Sequence, residues 1–125
     1  MKRPQTILIV EDDDALRRLC RTVLTLAGYL VQEAGDGLEA LRRLDHSPPD
    51  LVLLDWRLPG ISGHVVQQEI AALFARDIPV VIMTGSPEEL GHVDVDCILR
   101  KPLDPDDLVK TVRTCLLRGA PGAGK

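Results

Sequence analysis

The sequence TILIVEDDD, residues 6–14, places an apolar run directly before four acidic side chains. A short run of β-branched and leucine residues is typical of a strand buried on both faces, as in a parallel sheet covered by helices. Acidic side chains after such a strand commonly open a helix, because they offset its positive N-terminal dipole. We assign that ordinary role to Asp13 and Asp14, and we keep Glu11 and Asp12 as candidate site residues.

Four further short runs predict strands, and each is bounded by Gly, Pro or Asp. They are residues 29–33, 51–54, 79–83 and about 95–99, after a first strand at 6–10. Apolar residues at helical spacing predict helices between or after these strands. The predicted apolar faces are Leu16, Leu19, Cys20, Val23, Leu24 and Ala27; Leu38, Leu41 and Leu44; Val66, Ile70 and Leu73; and Leu108, Val112, Cys115 and Leu116.

Helix-terminating residues define two of the helix ends. Gly28 is the predicted C-cap of the first helix, and Asp104 followed by Pro105 predicts the start of the last one. Strands that alternate with helices predict an α/β fold, with a parallel sheet, right-handed crossovers and helices on both faces. A chain of 125 residues suits one such domain.

Composition excludes several classes of function. The chain is 45% hydrophobic and 27% charged with a net charge of −4, which fits a soluble globular protein and disfavours sequence-independent nucleic-acid binding. No apolar run approaches the roughly 18 residues of a membrane span, and no signal peptide opens the chain. We therefore expect a cytoplasmic protein without membrane insertion. Cys20, Cys97 and Cys115 lack metal-ligand spacing and are predicted to be reduced core residues.

Polar residues follow four of the predicted strands. Glu11 and Asp12 follow the first strand, Asp55 the third, Thr84 the fourth and Lys101 the fifth. Ligands of open α/β sheets bind outside the carboxyl ends of the strands. We therefore expect these acidic, hydroxyl and ammonium groups to share one crevice.

Four segments resemble a known family: ILIVEDDDALRR (7–18), PPDLVLLDWRLPGISG (48–63), IPVVIMTG (78–85) and ILRKPLDPDDLV (98–109). Over residues 5–118 the chain resembles the receiver domain of bacterial two-component response regulators, of the chemotaxis-regulator-like kind. The resemblance implies a flavodoxin-like (βα)5 doubly wound sheet of five parallel strands in the order 2-1-3-4-5. We expect one receiver domain over residues 1–118 and a flexible tail over residues 119–125.

The same resemblance implies a phosphoacceptor site. Its donor would be a sensor histidine kinase or a histidine phosphotransfer protein, and the product would be an acyl phosphate. Mg²⁺, or Mn²⁺ in its place, would offset the repulsion between carboxylates and the incoming phosphoryl group. The implied site consists of Asp55 as acceptor, Lys101 and Thr84 on the phosphoryl group, and Glu11 (through water), Asp12, Asp55 and the backbone carbonyl of Arg57 on the metal.

Further expectations come from the resemblance. The peptide bond between Lys101 and Pro102 is expected to be cis, and Gly85 is expected to leave access to the phosphoryl group open. Arg57 and Ser86 lie where the family tunes the removal of the phosphate by water. The protein would not be a turnover enzyme, although phosphotransfer and dephosphorylation would be self-catalysed. We expect a monomer or a phosphorylation-dependent dimer, with an output partner that the sequence does not name.

Two features depart from the family pattern. Ile98 stands three residues before Lys101, where the family usually has Tyr or Phe. The interval from Thr84 to Lys101 is also short, so we expect a truncated or missing fourth helix. These departures suggest that the domain signals through a surface other than the fourth helix, fifth strand and fifth helix, or that it serves as a phosphate relay or sink.

Other functions remain open at this point. Asp12-Asp13-Asp14 also fits the D-x-D of haloacid-dehalogenase-like phosphatases, although the chain is short for their core and cap. A flavin binder is disfavoured, because four acids would repel the flavin phosphate, whereas a protein-binding module that is never phosphorylated stays possible. The tail GAPGAGK fits a nucleotide-binding loop but follows a predicted helix, not a strand. We expect His46, His64 and His92 to lie at the surface.

Overall fold

The computed structural model describes residues 3–74, 77–91 and 97–118. Its strands are β1 (Thr6–Val10), β2 (Leu30–Ala34), β3 (Leu51–Asp55), β4 (Val80–Thr84) and β5 (Cys97–Arg100). Its helices are α1 (Asp14–Leu26), α2 (Gly37–His46), α3 (Gly63–Phe74) and α4 (Pro105–Arg118), with a short 3₁₀ helix at Pro87–Leu90. All five predicted strands are present; β1 has its predicted bounds, and the described ends of the others differ from the predicted ones by at most two residues. Within the described part of the chain, no helix is both long and apolar enough to cross a membrane.

The strands form one parallel sheet in the order β2-β1-β3-β4-β5, which confirms the predicted flavodoxin-like architecture. The three most apolar strands, β1, β3 and β4, occupy its centre, and every residue of β3 and β4 is buried. Alternate side chains of a strand point to opposite faces, so the sheet carries two apolar clusters. One packs against α2 and α3, and the other packs against α1 and α4.

The cysteines belong to the second of these clusters. Cys20 of α1 and Cys115 of α4 are buried, Cys97 of β5 is half-buried, and all three thiols are reduced. Burial, assisted by the charge of the Glu11 carboxylate, raises the pKa of the Cys20 thiol to about 11. These side chains therefore behave as small apolar core residues, as predicted.

Capping side chains explain where two of the helices begin. Asp13 accepts a hydrogen bond from the Leu16 amide at 3.1 Å and caps α1. Asp104 accepts one from the Asp106 amide at 2.8 Å at the start of α4, as predicted. The C-cap of α1 is the residue before the predicted one, and Gly28 follows it with a φ of 101°, a left-handed conformation that favours glycine.

Three predicted core-facing positions lie in solvent instead. Leu19, Leu38 and Leu73 are 42%, 49% and 62% exposed, so the prediction that they lie on packed helix faces is wrong. A helix that covers a sheet buries only a narrow stripe of about three or four positions in two turns. Leu44 of α2 and Ile70 of α3 lie on that stripe and are buried.

The described chain between β4 and β5 contains a single 3₁₀ turn in place of a full helix. The turn contributes a buried Leu90 to the apolar cluster on the α2 and α3 side of the sheet, and Gly91 follows it with a φ of 57°. The prediction of a truncated fourth helix is confirmed, so the last helix is α4. His46 and His64 are exposed, as predicted. His92 and the predicted tail, residues 119–125, lie outside the described residues.

Gly63 lets α3 begin directly against the end of β3. Its amide donates a hydrogen bond to the Trp56 carbonyl at 3.2 Å. A Cβ at this position would lie 2.8 Å from the Trp56 Cα and still closer to the Asp55 carbonyl oxygen. Because the colliding atoms are backbone, they cannot rotate aside, and the close approach requires glycine.

We expect Gly63→Ala to lower the free energy of unfolding by about 1–3 kcal/mol, the usual effect of overpacking. The better helix propensity of alanine, about 1 kcal/mol, offsets only part of this loss. Urea unfolding measures the difference. Gly85→Ala is the matched control, because no atom lies within 4 Å of its added Cβ. Equal stability of the two variants would contradict the packing argument.

Candidate functional site

The carboxyl ends of the strands bring the predicted residues to one edge of the sheet. Asp55 ends β3 and Thr84 ends β4, whereas Glu11 and Lys101 directly follow β1 and β5. In the observed strand order, β1, β3 and β4 are direct neighbours, so their carboxyl ends lie side by side. The crevice expected for an open α/β sheet is therefore built from residues as much as 90 positions apart in the sequence.

Three carboxylates converge in this crevice. One oxygen from each of Glu11, Asp12 and Asp55 lies within 4.8 Å of the others. Glu11 and Asp55 are only 1% and 4% exposed, whereas Asp12 is exposed, so the cluster opens to solvent on the Asp12 side. Oxygen atoms alone are the donor set that a hard divalent cation such as Mg²⁺ prefers, and the residues present fit such an ion.

Lys101 places a cation beside the two buried carboxylates. Its Nζ lies 2.9 Å from Glu11 Oε1 and 3.2 Å from Asp55 Oδ1. The Lys101 backbone amide donates to the Thr84 carbonyl at 2.8 Å, which ties this residue to the end of β4. The peptide bond to Pro102 is cis, as the sequence resemblance implied.

The burial of like charges shifts the pKa of Glu11. Burial raises its pKa from 4.5 to about 7, and the Asp55 charge adds to the increase. Hydrogen bonds from Lys101 and from the Asp13 amide oppose it. For Lys101, burial alone would lower the pKa, but its hydrogen bond to Glu11 and the charge of Asp55 raise it overall. The cluster thus carries more negative charge than one lysine neutralises.

Thr84 and Arg57, the other two predicted site residues, make their described hydrogen bonds with neighbouring protein groups. The Thr84 side chain is buried, and its Oγ1 accepts a hydrogen bond from the Ser86 amide at 3.1 Å. The Arg57 amide donates to Asp55 Oδ1 at 3.2 Å. A phosphoryl contact of Thr84 and a metal contact of the Arg57 carbonyl remain predictions.

Arg17 supports the acidic cluster from α1, where it lies outside the predicted apolar face. Its Nη1 donates to the Glu11 carbonyl at 2.8 Å, its Nε to Glu33 at 3.2 Å and its Nη2 to Asp14 at 2.6 Å. The spacing of three residues between Asp14 and Arg17 is the sequence signal that could have indicated part of this arrangement. The contact with Glu33 on β2 requires the tertiary fold.

The pairing of Arg57 with Glu89 was also missed from the sequence. The Arg57 Nε lies 3.0 Å from Glu89 Oε2, and its Nη2 contacts the second oxygen of the same carboxylate. The ion pair connects the loop after β3 with the 3₁₀ helix after β4. The two residues are 32 positions apart, so no local spacing rule could have found it.

The alternative D-x-D site does not form. Asp12 faces the carboxylate cluster, but Asp13 caps α1 and Asp14 pairs with Arg17. The second carboxylate of the motif is therefore held in a surface ion pair with Arg17, not among the clustered oxygens. Ile98, the aliphatic residue three positions before Lys101, is 44% exposed on β5.

Comparison with known proteins agrees with the resemblance noted in the sequence. A sequence profile of the response regulator receiver domain matches residues 7–113. The phosphate regulon transcriptional regulatory protein PhoB of Pseudomonas aeruginosa is 36% identical over 94% of this chain. That match covers 54% of PhoB, so the chain spans about half the length of this curated relative.

Solved structures show the same fold. A chain from Chloroflexus aurantiacus described as a response regulator aligns with a TM-score of 0.84 and 33% identity, covering 93% of this chain and all of that one. The chemotaxis response regulator CheY4 of Vibrio cholerae aligns with a TM-score of 0.84 and 25% identity, over 90% of this chain and 99% of CheY4.

The raised pKa of Glu11 predicts how the stability of the metal-free protein depends on pH. Between pH 4.5 and about 7 the folded state holds a proton that the unfolded state has released, so this group makes stability fall as the pH rises. The loss is up to about 3 kcal/mol. Urea unfolding in a chelating buffer measures it. Glu11→Gln should remove this part of the pH dependence, and the exposed Glu88→Gln should retain it.

Proposed function

The chain belongs to the response regulator receiver domain family, and on this premise we propose that Asp55 accepts a phosphoryl group from a phosphohistidine of a partner protein. The observation that supports this best is the placement of Asp55 at the end of β3. It is buried beside Glu11 and Asp12, and its Oδ1 lies 3.2 Å from the Lys101 ammonium. A carboxylate in such a preorganised site suits nucleophilic attack on an anionic electrophile.

In the proposed transfer, a carboxylate oxygen of Asp55 attacks phosphorus and forms an acyl phosphate. The phosphorus–nitrogen bond of the donor breaks, and its electron pair returns to the donor imidazole. The Lys101 ammonium is a compact charge beside the acceptor and stabilises the transferred oxygens. The buried Thr84 hydroxyl accepts from the Ser86 amide and can donate its own hydrogen to a phosphoryl oxygen.

A divalent cation completes the proposed site. Glu11, Asp12, Asp55 and the backbone carbonyl of Arg57 would hold Mg²⁺, with Mn²⁺ as a substitute, and Glu11 would act through water. When bound, the ion would neutralise the carboxylates and the phosphoryl oxygens. The support for this assignment is the all-oxygen cluster within 4.8 Å and its excess of negative charge over the single Lys101 cation.

The phosphorylated domain would act as a signal and not as a turnover enzyme. Water would remove the phosphoryl group in a self-catalysed step, with access past the exposed Gly85, around which an added Cβ would meet open space. Arg57 and Ser86 lie two positions after Asp55 and Thr84, where the family tunes this removal. The lifetime of the acyl phosphate would therefore set the duration of the signal.

The proposed partners follow from the same chemistry. A sensor histidine kinase or a histidine phosphotransfer protein would supply the phosphoryl group in the cytoplasm. The relative PhoB is named a transcriptional regulator, and its match to this chain covers about half its length. For the receiver domain itself, residues 1–118, we propose protein partners and no direct nucleic-acid contact, because the chain carries a net charge of −4. It would be a monomer or a phosphorylation-dependent dimer.

Acetyl phosphate and Mg²⁺ should add one phosphoryl group to the wild-type protein, and Asp55→Asn should abolish that gain, because an amide is not a nucleophile of this kind. Intact-protein mass spectrometry measures the product, and hydroxylamine should remove it, as expected of an acyl phosphate. Asp36→Asn is the matched control, since this exposed cap of α2 stays a capping residue. A phosphorylated Asp55→Asn protein would overturn the assignment of the acceptor.

Lys101→Met should change metal binding and phosphoryl transfer in opposite directions. Loss of a cation from the acidic cluster should strengthen Mg²⁺ binding by about tenfold, the equivalent of roughly 1.4 kcal/mol of removed repulsion. Phosphorylation should become slower, because the transferred oxygens lose their fixed charge. The fluorescence of Trp56, the single tryptophan and the residue after the acceptor, can follow Mg²⁺ binding. Lys110→Met on the exposed side of α4 should change neither property.

A further inference from the structure

The 3₁₀ helix Pro87–Leu90 is attached to the phosphorylation site by two polar contacts. The first joins the Ser86 amide, just before the helix, to Thr84 Oγ1 at 3.1 Å. The second joins Glu89 to both Nε and Nη2 of Arg57. Thr84 ends β4 beside the strand that Asp55 ends, and Arg57 lies two residues after Asp55, with its amide 3.2 Å from Asp55 Oδ1. A charge that forms on Asp55 would act on both.

The Arg57–Glu89 ion pair is of a kind that another anion can displace. The Arg57 side chain is 76% exposed, and exposed ion pairs are individually weak. A phosphoryl group on Asp55 would present several charged oxygens in a buried site, where hydrogen bonds to a guanidinium are stronger. The Arg57 amide already lies 3.2 Å from Asp55 Oδ1, so its side chain can reach an oxygen attached there.

The 3₁₀ helix has little internal structure to hold it once these contacts are lost. It is a single turn, with hydrogen bonds from the Glu89 amide to Ser86 at 2.9 Å and from the Gly91 amide to Glu88 at 3.3 Å. Its main apolar anchor is Leu90. Short helices of this type have little stability of their own, so the polar contacts contribute to its position.

We propose that Arg57 exchanges Glu89 for the phosphoryl group on Asp55, and that this exchange releases the 3₁₀ helix Pro87–Leu90 as the conformational output of the domain. The proposal rests on Asp55 as the acceptor. It revises the expectation drawn from Ile98 and the short interval before Lys101. Signalling would still involve the segment after β4. The side chain that responds to phosphorylation would be Arg57, in place of the aromatic residue that the family usually has at position 98.

A groove beside the ion pair would change with this release. It has a volume of about 560 Å³ and is lined by Trp56, Arg57, His64, Glu89 and Leu90, among others. The rings of Trp56 and His64 lie 5.4 Å apart, between centroids. Movement of the 3₁₀ helix would alter the surroundings of Trp56, which makes its fluorescence a reporter.

Beryllofluoride, an acyl phosphate mimic, tests the exchange through its affinity in the presence of Mg²⁺. If Arg57 must leave Glu89 to bind the mimic, Glu89→Gln should tighten its binding by about two- to fivefold, the strength of an exposed ion pair. Arg57→Met should weaken binding. Glu88→Gln is the matched control, because it removes the same charge from an exposed neighbour on the same turn and should leave the affinity unchanged.

The double variant distinguishes exchange from simple repulsion. In an Arg57→Met background, Glu89→Gln should have no further effect, since no guanidinium remains to be released. Equal tightening in both backgrounds would mean that Glu89 acts only by repelling the mimic, and would overturn the proposal. An unchanged affinity in the single Glu89→Gln variant would also overturn it.

Amide hydrogen exchange tests the release itself. Beryllofluoride should speed exchange at the Glu89 and Gly91 amides of the wild-type protein, whereas Glu89→Gln should show fast exchange with or without it. Acetyl phosphate labelling of the same samples tests Asp55 as the acceptor independently of the release of the 3₁₀ helix. Absence of phosphorylation at Asp55 would refute the proposed acceptor, and phosphorylation with unchanged exchange at these amides would refute only the release.

Discussion

The Lys101 ammonium between the buried carboxylates of Glu11 and Asp55 is the interaction on which the site depends. Two like charges at the ends of central strands repel each other and lose their hydration, and removing their counter-ion would leave them uncompensated. Lys101 supplies that counter-ion across the sheet, from a position 90 residues away from Glu11. The order of the strands and the path of the chain after β5 together bring Lys101 to these carboxylates.

The same site is incompletely neutralised, and this property connects stability with function. Burial and the charge of Asp55 keep the pKa of Glu11 near 7, so the site retains a demand for positive charge. A proton can meet that demand in the free protein, and a divalent cation suits the same oxygen atoms. The excess negative charge of the cluster is unfavourable for folding alone. It favours binding of a divalent cation, and the cation in turn suits the site to receive an anionic group.

The short connection after β4 changes the surroundings of the site, although the sheet itself has the strand order expected for the family. In the described chain after β4, one 3₁₀ turn stands where a full helix would cover the sheet, with Leu90 buried and Glu89 paired with Arg57 at the surface. Ile98 is left 44% exposed on the edge strand β5. The ion pair between Arg57 and Glu89 links this turn to the loop after β3, which gives the site a direct connection to the surface.

Apolar runs such as ILIV at residues 7–10 and the alternation of strands with helices determined the sheet, because burial on both faces leaves no place for polar residues. Residue order also located Asp55 and Lys101, since each stands at the carboxyl end of a strand and parallel strands end together. The exposure of Leu73 and the pairing of Arg17 with Glu33 and of Arg57 with Glu89 were decided only by the tertiary structure. Such contacts join distant segments, and their distances depend on how helices and loops pack, which no local pattern encodes.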